Sequence, residues 1–304
     1  MNHDLTAGIG SIAGSRFFMV CCLIVLLSIS SCKKDAQKRS TELTWITQDG
    51  FTQQGTLYTP NKKNAPALIL VHALGGQRSD WEFLALRAAA RGYLVLTYDM
   101  RGHGNSATQN GKSSPFNRFE SEDWNRAVAD IGLAKRQILA NGASPENLFI
   151  VGASIGANMT VQYADADPEI QAVVLLSPGV KYKNLDIENT VKDNRRLPML
   201  LMAAEGDRYS ADSIDKMKIW SPAYAESRMY SGTSHGIDLL LRSERIFEDI
   251  FGFSGRRQAG PARGRDLGIR IAVTTRTDVH TLAPTKVVHT FAARTDGLLT
   301  TARR

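Results

Sequence analysis

The residues of this chain best placed to do chemistry are Gly152-Ala153-Ser154-Ile155-Gly156, which follow an apolar run and open a stretch of small residues. A serine hydroxyl becomes a useful nucleophile when the chain holds it exposed beside a base and an anion-stabilising pocket. A Gly-x-Ser-x-Gly segment between a strand and a helix does the first part, because it places the serine on a sharp, strained turn. Glycines on either side have no Cβ, so strand and helix can close around the turn. The helix N-terminus then lies behind Ser154, and the Ile155 amide points where negative charge would develop on an attacked carbonyl. The chemistry expected of such a turn is acyl transfer.

A second element supports that expectation. Ala67-Leu68-Ile69-Leu70-Val71 is a continuous apolar run, the pattern of a strand buried on both faces of a parallel sheet. It ends in His72-Ala73-Leu74-Gly75-Gly76, where the glycines allow a turn that exposes a backbone amide. Leu74 is the expected second oxyanion donor. A third apolar run, Leu94 to Tyr98, leads into Asp99-Met100-Arg101-Gly102-His103-Gly104-Asn105-Ser106.

With these three segments in this order, the chain resembles the α/β-hydrolase superfamily, and within it the compact capless members of the dienelactone-hydrolase-like and short-chain carboxylesterase types. The resemblance covers roughly residues 45 to 252. It implies a doubly wound, mostly parallel α/β sheet of about eight strands, and a serine, acid and histidine in that chain order. Asp99, Arg101 and His103 are read as shaping the loop beside the site, with His103 as the alternative base. The expected base is His235, in Ser231-Gly232-Thr233-Ser234-His235-Gly236, after the short strand-like Ser227 to Tyr230. The expected acid is Asp207, at the end of the strand-like Pro198 to Ala204, with Glu205 and Asp212 as rivals. In this reading Ser154 attacks, His235 carries the proton and Asp207 orients the imidazole. Two positions depart from the family. Ala73 stands where glycine is usual, and Ser154 stands where dienelactone hydrolases proper have cysteine, which argues against that activity.

The elements that must position these residues follow from periodicity. Strands are expected near 43–47, 54–59, 67–72, 93–98, 148–152, 171–176, 198–203 and 227–230, alternating with helices from the third onward. One helix is expected over 121–140, with Trp124, Val128, Ile131, Leu133 and Ile138 near one face. Between Ser177 and Leu197 there are 21 residues, too few for a large helical cap, so the site should be open and shallow. Such a site suits small or extended acyl esters, and the alternatives are a peptidase or thioesterase of the same fold or an inactive hydrolase-fold binding lipoprotein.

The ends of the chain read differently from the 43–254 hydrolase domain. Phe17 to Ile29 is an apolar run of 13 residues, short for a bilayer span and typical of a secretory signal. It runs into Ile29-Ser30-Ser31-Cys32, which resembles a bacterial lipobox with Cys32 as the acylated residue. Residues 1–32 are thus expected to be a lipoprotein-type signal and 33–42 a polar tether, giving an exported protein held at a membrane by its lipid. All three cysteines, Cys21, Cys22 and Cys32, lie in that signal. The body therefore offers no disulfide and no thiol nucleophile, its histidines lack metal-ligand spacing, and no metal or cofactor is expected. Residues 255–304 hold nine arginines, one lysine and three aspartates, so this segment carries the whole net charge of +7. Without aromatic interleaving in an exported protein, the segment is expected to be a disordered extension, and no nucleic-acid partner is expected.

Overall fold

The computed structural model describes residues 40–258. The segments read as signal and lipidation site, most of the tether and most of the arginine-rich tail lie outside the described residues. Twelve strands and six helices form in that span: β1 (Ser40–Ile46), β2 (Phe51–Tyr58), β3 (Ala65–Val71), α1 (Glu82–Ala90), β4 (Leu94–Tyr98), β5 (Thr108–Gln109), β6 (Lys112–Ser113), α2 (Ser121–Ala140), β7 (Ala143–Ala153), α3 (Ile155–Ala166), β8 (Ile170–Leu176), β9 (Lys181–Tyr182), β10 (Leu185–Asp186), α4 (Glu188–Asp193), β11 (Met199–Ala204), α5 (Arg208–Trp220), β12 (Ala225–Tyr230) and α6 (Glu244–Gln258). All eight expected strands are present, and the helix read over 121–140 is α2. The first strand begins at Ser40, so the last three residues of the expected tether belong to the sheet.

The main sheet runs β12-β11-β8-β7-β3-β4-β2-β5-β6, with β1 paired to β2. From β12 to β4 all neighbours are parallel, and β2 and β1 are antiparallel additions. Successive residues of β3 alternate between two cores. Ala67, Ile69 and Val71 pack with α2 and α3, whereas Leu68 and Leu70 pack with α1 and α6. This is why the strand reads as an unbroken apolar run.

The strand order reverses at β3, since β4 lies on one side of it and β7 on the other. In open α/β sheets the crevice at such a reversal, beyond the carboxyl ends of the strands, is where ligands bind. Val71 pairs with Gly152 across that point, so the two loops that leave β3 and β7 start side by side.

Candidate active site

Ser154 sits between β7 and α3 with φ 54° and ψ −122°, a conformation that a side chain rarely adopts. Its amide donates to the Leu176 carbonyl on β8 at 2.8 Å, which fixes the turn to the neighbouring strand. The flanking glycines make the turn possible. A Cβ on Gly152 would lie 2.4 Å from the Gly156 carbonyl oxygen and from the Thr160 hydroxyl. A Cβ on Gly156 would lie 2.4 Å from the His72 carbonyl oxygen. The second approach holds the start of α3 against the loop leaving β3, and so brings the segments of Ile155 and Leu74 together.

Asp207 follows β11 at the N-terminus of α5, and His235 follows β12. His235 Nδ1 is 2.7 Å from Asp207 Oδ2, and His235 Nε2 is 2.8 Å from Ser154 Oγ. An ionised carboxylate only accepts, so Nδ1–H donates to Asp207 and Nε2 accepts from the serine hydroxyl. Burial raises the Asp207 carboxyl, but the His235 ring and nearby serine hydroxyls outweigh it and hold the group below its ordinary pKa. Of the three acids weighed from the sequence, Asp207 is the one bonded to His235, while Glu205 and Asp212 are exposed. A hydroxyl, an imidazole and a carboxylate connected in this way can move a proton off the serine as it attacks.

Ile155 opens α3, and Leu74 lies in the turn closed by the Gly76 amide on the Ala73 carbonyl at 3.0 Å. Neither the Ile155 nor the Leu74 amide has a protein acceptor among the described residues.

The other histidines are built into the frame. His72 is fully buried, donates from Nδ1 to the Ala73 carbonyl at 2.7 Å and accepts the Met100 amide at 3.0 Å. His103 is stacked on Phe116 at 4.1 Å, with Nδ1 2.9 Å from the Arg101 carbonyl oxygen. Burial lowers both rings to about 4, so both are neutral at pH 7. Asp99 accepts from the Arg78 guanidinium and from the amides of Arg78 and Asn105, while Arg101 pairs with Asp130 and Asp49. These contacts shape the loop after β4.

Two residues beside the site escaped the sequence reading. Ser177, at φ 50°, follows β8 and accepts the Gly236 amide at 2.9 Å. Tyr182 lies in the β9–β10 hairpin, its hydroxyl 3.3 Å from the Ser177 carbonyl oxygen and its ring centroid 6.4 Å from that of His235. A Ser-Pro-Gly turn after a buried strand was a usable signal for Ser177. A two-residue strand has too little periodicity to announce Tyr182.

A cavity of about 470 Å³ opens beside His235, lined by Ala73, Leu74, Phe83, Ile237 and Leu241 among others. A larger one of about 770 Å³ is lined by Thr56, Tyr58, Arg78 and Asp99, and includes none of Ser154, Asp207 and His235. Among the described residues no cluster of His, Cys, Asp and Glu could hold a metal ion.

A family model described as serine aminopeptidase S33 matches residues 62–203, a span that includes Ser154 and stops short of Asp207 and His235. Among solved structures, an α/β hydrolase from Penicillium is 16% identical with a TM-score of 0.60, over 72% of this chain and 99% of that one. An esterase from Pyrococcus furiosus is 16% identical with a TM-score of 0.57, over 74% and 93%. The thioesterase domain from the curacin biosynthetic pathway is 14% identical with a TM-score of 0.55, over 71% and 99%. No curated protein matches the sequence. At these identities the likeness is one of fold: the chain has the α/β-hydrolase fold.

Proposed function

We propose that this protein is a serine hydrolase that cleaves carboxylic esters through an acyl-enzyme on Ser154. The observation that carries the reading is the hydrogen-bonded line from Asp207 through His235 to Ser154, at 2.7 and 2.8 Å, ending on a strained strand-to-helix turn. Ser154 Oγ bonds to the ester carbonyl carbon while its proton passes to His235 Nε2. The carbonyl oxygen, now an anion, is held by the amides of Ile155 and Leu74. One well-placed donor of this kind contributes about 3–4 kcal/mol of barrier lowering. The tetrahedral species collapses as the carbon–alkoxy bond breaks, and the alcohol leaves with the proton from His235. Water then adds to the acyl-serine with His235 as base, and the acid departs as Ser154 regains its proton.

A peptidase or a thioesterase would use the same groups, and the aminopeptidase family model and the thioesterase neighbour favour keeping these as the second reading. The chain is further proposed to be exported and lipid-anchored through Cys32, on the small residues that precede this cysteine after an apolar run. Turnover of p-nitrophenyl acetate and butyrate by the full chain, beside Ser154→Ala, tests the ester reading. Hydrolysis that disappears in the variant supports it. Equal turnover by both proteins overturns it.

A further inference from the structure

Among the described residues, seven large apolar side chains are exposed, and three of them, Leu74 (42%), Phe83 (45%) and Leu241 (73%), line a cavity that His235 also lines. Scattered single apolar residues are ordinary on a surface, but a cluster around a concave site marks a ligand. Ile237 and Leu240 add to the wall, and Leu239 is buried. The wall is held in place before any ligand arrives. Phe83 packs edge-on against Phe247 at 5.3 Å, and the Arg87 guanidinium lies over both rings at 4.3 and 4.5 Å.

The charges are one-sided. Asp80 and Asp238 are the carboxylates lining the cavity, and no lysine or arginine lines it. The Arg87 guanidinium is taken up by two bonds to Glu244 at 2.6 and 2.8 Å, and that of Arg242, next to Leu241, by a bond to the Ser234 hydroxyl. An anionic substituent entering this groove would lose water without a cation in the lining, and would face two carboxylates. At about 470 Å³ the space falls within the range of small-molecule sites.

On the reading of Ser154 as an ester-cleaving nucleophile, we infer that this groove holds the acyl chain of the substrate. The substrate class is then an ester of an uncharged, medium-length aliphatic acid, and half-esters of dicarboxylic acids are poor substrates. Each methylene laid on Leu74, Phe83, Ile237 and Leu241 contributes up to about 0.8 kcal/mol, a rise of about fourfold in kcat/KM.

The test compares p-nitrophenyl acetate, butyrate and hexanoate with the p-nitrophenyl half-ester of adipic acid, which matches hexanoate in length and ends in a carboxylate. The full-length protein is used, with fluorophosphonate labelling of Ser154 measured in parallel. The expected result is a kcat/KM that climbs from acetate to hexanoate and falls by about tenfold or more for the adipate half-ester. Leu241→Ser should cut the hexanoate-to-acetate ratio several-fold, and Asp80→Asn with Asp238→Asn should narrow the gap between hexanoate and adipate. Ile219→Ser, equally apolar and 77% exposed but on α5 away from the groove, should leave both ratios unchanged. A labelled, active protein with a flat chain-length profile, or one that accepts the adipate half-ester as well as hexanoate, overturns the inference and leaves the serine-hydrolase reading standing. An unlabelled, inert protein overturns both.

Discussion

The Gly236 amide donates to the Ser177 hydroxyl at 2.9 Å, and this bond ties the loop carrying His235 to the strand beside the one that carries Ser154. Ser177 is fully buried, so the amide has no water to turn to if the hydroxyl is removed. Ser177→Ala should cost about 1–3 kcal/mol of stability. It should also lower kcat more than it changes KM, because His235 loses its fixed distance to Ser154. Urea unfolding and steady-state kinetics check both parts, and a variant matching the parent in both would show the bond to be idle.

The turn at Ser154 stores strain that a second substitution can release. Ser154→Ala keeps a Cβ at φ 54°, whereas Ser154→Gly removes it. Relief of about 1–3 kcal/mol is partly offset by glycine's larger entropy loss of about 0.5–1 kcal/mol. Ser154→Gly should therefore unfold at a higher temperature than Ser154→Ala, with both inactive. Equal melting temperatures would mean that the turn is not strained.

His72 and His103 predict how stability depends on pH. Their folded pKa values of about 4 lie below the 6.5 of a free imidazole, so the unfolded chain takes up protons first as the pH falls. Their contribution is intact above pH 6.5 and is lost between there and pH 4, by about 3 kcal/mol per histidine. The urea midpoint should drop steeply between pH 7 and 4.5, and the ring proton resonances of both histidines should still report neutral imidazoles at pH 5. A ring that titrates near 6.5 contradicts the buried pair.

Asp130 accepts from Arg101 at 2.7 and 2.8 Å and from Gln53 at 2.9 Å, all within the core between α2 and the sheet. Asp130→Ala leaves the Arg101 guanidinium, 2% exposed, with Asp49 as its remaining acid. Removal of one partner from a buried pair costs about 3–5 kcal/mol. A loss under about 1 kcal/mol in urea unfolding would show that Asp49 suffices.

What could be read from the sequence and what could not have a common physical basis. Strands such as β3 and β8 are buried on both faces and so write themselves as apolar runs, and α2 repeats its apolar residues at helical spacing. The edge elements carry no such imprint. Ser40 and Glu42 point partly to solvent, which hid the start of β1, and β7 extends back to Ala143 through Ser144, Pro145 and Glu146, which carry no apolar pattern. The hairpins β5–β6 and β9–β10 are two residues a side, below any periodicity. The same division applies at the site. Ser154, Asp207 and His235 stand in short motifs at the ends of strands, and the structure brings them within hydrogen-bond distance. Tyr182 and Ser177 reach the site only through the order β7-β8-β11, which a linear reading does not contain.

The most direct measurement is fluorophosphonate labelling of the full-length protein, with the modified residue located by mass spectrometry, beside His235→Ala. A single adduct on Ser154 is expected, formed at a rate that falls by about a thousandfold or more in the variant, as when a nucleophile loses its base. An adduct elsewhere, or labelling of Ser154 at the same rate without His235, would contradict the central claim that Asp207, His235 and Ser154 act as one chemical unit.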